Sequence, residues 1–82
     1  MRDKALMSLA DLKRGQSGKV VRINTGNPAF RKRLFDMGLT EGVHVKMKRV
    51  APLGDPLNIT IRGYELCLRK EDLMHIEVEI GL

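Results

Sequence analysis

From Val43 onward the chain alternates apolar and polar residues at period two, and this limits its fold more tightly than any other feature. In VHVKMKRV (43–50), Val43, Val45 and Met47 alternate with His44, Lys46 and Lys48. In LNITIR (57–62), Leu57, Ile59 and Ile61 alternate with Asn58, Thr60 and Arg62. YELCLR (64–69) sets Tyr64, Leu66 and Leu68 against Glu65, Cys67 and Arg69, and MHIEVEI (74–80) sets Met74, Ile76, Val78 and Ile80 against His75, Glu77 and Glu79. Successive side chains of a strand point to opposite faces. Each run therefore buries one face and wets the other, as in antiparallel sheet. A further run, GKVVRIN (18–24), is β-branched and short, with Val21 and Ile23 read as inward and Arg22 as outward.

Five short strands in an 82-residue chain predict a mainly β fold, a small closed or nearly closed antiparallel barrel, because closure removes adhesive edges. The connections agree. Arg62 and Gly63 leave only two residues between Ile61 and Tyr64, a tight hairpin that Gly63 permits. APLGDP (51–56) is a longer hairpin tip, and KEDL (70–73) is one turn before the last strand. Tyr64, like Phe30, is read as core.

One segment breaks the period. In TGNPAFRKRLFDM (25–37), Asn27 can cap a helix and Pro28 then takes the first helical position, where a missing N–H costs nothing. Phe30, Leu34 and Met37 recur at helical spacing and form the inward stripe. A short α-helix is thus inserted after the first predicted strand. The following DMGLTEG places two glycines close together. Gly38 is the natural left-handed residue just past the helix, with Leu39 then able to contact Leu34. Gly42 closes the turn into the strand at Val43. Both glycines, with Leu34 and Gly63, are read as structural.

Upstream, Ser8 can cap a short helical turn carrying Leu9 and Leu12 that ends by Gly15. Residues 1–7 read as a flexible N-terminal arm ahead of a single domain at 8–80, with Met7 an alternative start. A domain this small buries only about 60% of its unfolded surface and has little room for a deep pocket. MRDKALMSL is read as neither a signal peptide nor a membrane span. With one cysteine, Cys67, the chain is no disulfide-framed miniprotein. The expected compartment is the cytoplasm.

The pattern RLFDMGLTEG, followed by RVAPLGDP and the strand pair beginning RGYELCLR, resembles the FeoA family over about residues 8–80. That resemblance implies an SH3-like β-barrel with a helix inserted after the first strand. It also implies a non-enzymatic role in ferrous iron uptake, through contact with the cytoplasmic GTP-hydrolysing part of the transporter FeoB. Membrane association would then be indirect, through FeoB. Related domains occur at the end of metal-dependent repressors, which makes a metal-sensing domain one alternative.

The residues themselves offer little for catalysis or cofactors. Ser8 and Ser17 have no placed base, and RGQSGK lacks the spacing of a phosphate-binding loop. His44, His75 and Cys67, with Asp55 and Glu65 as oxygen donors, do not fall at metal-ligand spacing. No metal site and no cofactor are expected. The formal charge of +5 raises nucleic acid as a partner, and an RNA- or ribosome-binding barrel is the other alternative. Lys46 and Lys48 share an outward strand face, with Arg62 beside them. Stacking aromatics are scarce, however, and nucleic acid is not the expected partner. Protein binding remains, with weak self-association allowed. Its candidate residues are Leu53, an apolar residue at a turn tip with Gly54 and Asp55, and Phe35, about 100° off the inward helix stripe. Arg31 and Arg33 are the candidate charge complements.

Overall fold

The computed structural model describes residues 4–81. Six strands form one antiparallel sheet: β1 (Lys4–Ser8), β2 (Ser17–Ile23), β3 (His44–Val50), β4 (Leu57–Ile61), β5 (Tyr64–Leu68) and β6 (Ile76–Gly81). Their order across the sheet is β1-β6-β2-β3-β4-β5. Two helices interrupt them, α1 (Pro28–Asp36) between β2 and β3, and the single turn α2 (Lys70–Leu73) before β6. A 3₁₀ turn over Leu9–Asp11 joins β1 to β2, with the Ser8 hydroxyl accepting from the Ala10 N–H at 3.1 Å. The fold is mainly β.

The alternation does what it predicts in the middle of the sheet. Leu57, Ile59 and Ile61 of β4 are buried, and Asn58 and Thr60 between them are not. Val45 and Met47 of β3 and Ile76, Val78 and Ile80 of β6 join the same core, together with Leu9, Leu12, Leu34, Leu39 and Leu73. Among the described residues no polar or charged residue is buried.

Four features depart from the sequence reading. Lys4–Met7, read as part of a flexible arm over residues 1–7, form with Ser8 a strand paired with β6 in continuous register from Lys4↔Gly81 to Ser8↔Glu77. Its run turns Ala5 and Met7 toward the core, too short a repeat to register as period two, and the partner strand supplies the ordering. Residues 1–3 lie outside the described residues. Second, Val21 is not the inward residue of β2. The pairing passes from Val20↔Val78 to Arg22↔Glu77, so Val21 is an extra residue that shifts the phase, and Val20 and Ile23 both reach the core. Third, Tyr64 is 42% exposed because β5 is an edge strand. The hydrogen-bonded ladder ends at β1 and β5, so its order is open where a closed barrel was one of the two forms expected. Fourth, Met74 is exposed because it caps the end of α2 in helical geometry, and β6 begins only at Ile76.

Helix α1 is fixed at both ends. The Asn27 side-chain oxygen accepts from the N–H groups of Ala29 (3.0 Å) and Phe30 (3.2 Å). At the other end the Leu39 N–H donates to the Leu34 carbonyl at 2.9 Å and the Gly38 N–H to the Phe35 carbonyl at 3.0 Å. That pair of bonds is the Schellman motif, which requires the residue after the cap to be left-handed. Gly38 has φ +92°. The motif drops Leu39 into the core beside Leu34 and turns the chain toward β3.

Candidate partner-binding surface

The residues singled out for binding divide among separate regions of the surface. Phe35 stands on the outer side of α1, 67% exposed. It lines a shallow groove of about 320 Å³ with Ile23, Arg31, Leu39, Thr40 and Glu41. Arg31 is not a purely solvated side chain. Its guanidinium donates to the Ile23 carbonyl at 2.8 Å, tying the helix to the end of β2. Phe35 and Arg31 therefore share one groove, an apolar ring with a held cation beside it. Arg33 points elsewhere and lines a groove of about 370 Å³ between α1 and α2, with Asn27, Phe30, Asp72 and His75 among its walls. The His75 and Phe30 rings meet there edge to face, centroids 6.2 Å apart.

Leu53, Gly54 and Asp55 sit together on the turn between β3 and β4. Leu53 is 95% exposed, the most exposed large apolar side chain described. Gly54 takes a left-handed conformation, and its N–H donates to the Ala51 carbonyl at 2.7 Å, so the tip is a hydrogen-bonded turn. The Asp55 carboxylate is used locally, accepting from the Lys70 N–H at 2.9 Å and so capping the first turn of α2. Leu53 does not line the Phe35 groove.

Gly42 has φ +94° and donates its N–H to the Val20 carbonyl at 2.7 Å, starting the contact between β2 and β3. Arg62 and Gly63 both have positive φ, at 47° and 87°. That is the type I′ geometry favoured in two-residue hairpins, with a non-glycine residue at its first position. The metal-donor residue types are scattered. Among the described residues no group of three or more histidine, cysteine, aspartate or glutamate side chains could hold a metal ion together. Cys67 and His44 are exposed on strands, and Glu65 is paired with Lys48.

Sequence reasoning placed Arg62 beside Lys46 and Lys48. The structure brings Arg14 and Arg49 to that face instead. Nothing local announces Arg14, which comes from the turn before β2. That turn is pinned to β3 by the Gly15 N–H on the Met47 carbonyl (2.7 Å) and the Met47 N–H on the Gln16 carbonyl (2.9 Å).

Comparison with known proteins gives a consistent picture. Residues 7–80 match the FeoA domain family. The chain is 39% identical over 74 residues to a curated Fe(2+) transport protein A/Fe(2+) transporter FeoB fusion protein of Porphyromonas gingivalis (strain ATCC BAA-308 / W83). The match covers 90% of this chain and 9% of that protein, so the chain spans under a tenth of the length of this relative. Among solved structures it is similar to a FeoA protein from Chlorobium tepidum, with 39% identity, TM-score 0.82, and coverage of 90% of this chain and 70% of that one. It is also similar to Stenotrophomonas maltophilia FeoA complexed with zinc, described as an SH3 domain protein, with 27% identity, TM-score 0.77 and 88% of each chain covered. No helix among the described residues is long and apolar enough to cross a membrane.

Proposed function

The chain belongs to the FeoA domain family, and from that premise we propose that it is a non-enzymatic accessory of ferrous iron uptake that docks on the cytoplasmic GTP-hydrolysing part of FeoB and modulates it. The observation that carries this reading is the Porphyromonas gingivalis fusion, in which a segment 39% identical to this chain is joined to FeoB in one polypeptide. A covalent link makes association intramolecular and raises the effective concentration of the two parts. A separate chain needs a binding surface to reach the same proximity.

The surface supplies the parts of such an interface. Phe35 is an aromatic anchor with Arg31 held beside it, and Leu53 is a second apolar contact on a hydrogen-bonded turn. Binding energy concentrates in a few such residues, aromatic and arginine above all. Arg31 and Arg33 add charge that favours an acidic facing surface and speeds encounter. Gly54 and Asp55 hold the Leu53 tip in shape. The protein acts in this reading from the cytoplasmic side, by contact alone.

The test is isothermal titration of this chain into the soluble cytoplasmic portion of the cognate FeoB, with and without a non-hydrolysable GTP analogue. Phe35→Ala and Leu53→Ala are each expected to weaken binding by about 1–2 kcal/mol, roughly five- to thirtyfold. No binding in either nucleotide state would overturn the proposal.

A further inference from the structure

We propose that the groove between the 13–16 turn and the outer face of β3 is a docking site for an acidic protein segment. It stands on the groove's own charge and does not depend on which protein carries the acids. Arg14, Lys46, Lys48 and Arg49 line an open groove of about 610 Å³, with Thr60 and Glu65 on its β4–β5 side. Four cations converge there, and the one carboxylate among the lining residues is Glu65.

The convergence is built by the backbone. The β3–β4 register shifts between Met47↔Ile59 and Arg49↔Asn58, which leaves Lys48 as an extra residue. In a regular strand Arg49 would follow Val45 and Met47 to the buried face. The bulge turns Lys48 and Arg49 outward together. Bulges re-aim side chains in this way, often beside functional sites. The Gly15 N–H donating to the Met47 carbonyl, and the Met47 N–H donating to the Gln16 carbonyl, then bring Arg14 alongside.

The ligand class follows from what the groove already holds and what it lacks. Lys48 gives its ammonium to the Glu65 carboxylate, so one of the groove's own cations is occupied by an acid. Among the described residues no aromatic ring lines the groove, so they give bases no platform to stack on. A concave site also fits a protruding chain better than the plane of a membrane. An acidic segment would lay carboxylates on Arg14, Lys46 and Arg49 and compete with Glu65 for Lys48.

The experiment is a ¹⁵N-resolved NMR titration of the whole chain with a short polyglutamate peptide at low and high salt, with oligouridine and phosphatidylglycerol vesicles in parallel. Shifts are expected at Gly15, Lys46–Arg49, Thr60 and Gly63, weakening as salt rises. Arg14→Ala/Lys46→Ala should weaken the peptide about five- to tenfold, the loss of two exposed ion pairs. Glu65→Gln, which removes the internal competitor, should tighten it about two- to fivefold. Lys32→Ala/Lys70→Ala removes the same two charges from the +5 total outside the groove and should leave affinity within about twofold. Retained amide dispersion shows that each variant is folded. Equal weakening by the two double variants would reduce the effect to net charge and overturn the proposal. So would absence of groove shifts, or tighter use of the same residues by oligouridine or vesicles.

Discussion

Gly38→Ala is expected to be costly for two separable reasons. At φ +92° a residue with a Cβ incurs about 1–2 kcal/mol of strain. The added Cβ would also fall on the Tyr64 hydroxyl oxygen, which donates a hydrogen bond to the Met37 carbonyl across the end of α1. Displacing that hydroxyl loses a bond contributing about 1 kcal/mol. The sum is about 2–3 kcal/mol, or on the order of 10–20 °C in Tm for a domain of this size. The rest of the Tyr64 ring is innocent, because its Cζ would lie 3.6 Å from the new Cβ, an ordinary contact. Tyr64→Phe therefore removes the collision and leaves the strain. Urea unfolding of the two single variants and the double variant separates the terms. Gly38→Ala should cost about 1 kcal/mol less in the Tyr64→Phe background than in the wild type. An equal cost in both backgrounds would refute the steric half of the reasoning, and a cost below about 1 kcal/mol in the Phe background would refute the conformational half.

Other perturbations are more local. Asp55→Ala removes the acceptor for the Lys70 N–H and should lower stability by about 0.5–2 kcal/mol in urea, with Asp55→Asn recovering most of the loss. Arg62 occupies positive φ in a two-residue hairpin, so Arg62→Asn should raise stability by up to about 1 kcal/mol, read as a higher urea midpoint at unchanged slope. Ile59 is fully buried at the middle of β4. Ile59→Val should cost about 0.5–1.5 kcal/mol and Ile59→Ala about 2–5 kcal/mol, the latter a large share of the total for so small a domain and visible as a steep fall in Tm by calorimetry.

The parts of the fold that a sequence discloses are those that one residue and its near neighbours decide. Burial on alternate positions announced β3, β4 and the body of β6, because a strand packed on one face must place Val45, Met47, Ile59 and Val78 at even spacing. The Asn27–Pro28 start and the Gly38 end of α1 were legible for the same reason: caps satisfy backbone groups within a few residues of themselves. Strand β1 was not. With Ala5 and Met7 as its core-facing apolar residues, it draws its order from pairing with β6, more than sixty residues away in the chain. Tyr64 looks like a core residue by period alone, and it is exposed because no strand pairs on the outer side of β5 among the described residues. Edge position belongs to the sheet as a whole and leaves no mark in YELCL.

The two bulges carry this one step further, because they separate what the core requires from what the surface presents. At Val21 the extra residue keeps the inside intact, letting Val20 and Ile23 both reach the core although they are three apart. At Lys48 the extra residue comes after the last buried position of β3, where it sets the half-covered Val50 opposite Leu57 and turns Lys48 and Arg49 outward together. An extra residue leaves unpaired backbone and weakens the local ladder. At Val21 that loss is offset by buried apolar area. At Lys48 less apolar area is covered, and the gathering of like charges adds repulsion, which the Lys48–Glu65 pair eases in part. The proposed acidic segment would meet those charges and offset the repulsion that the bulge gathers.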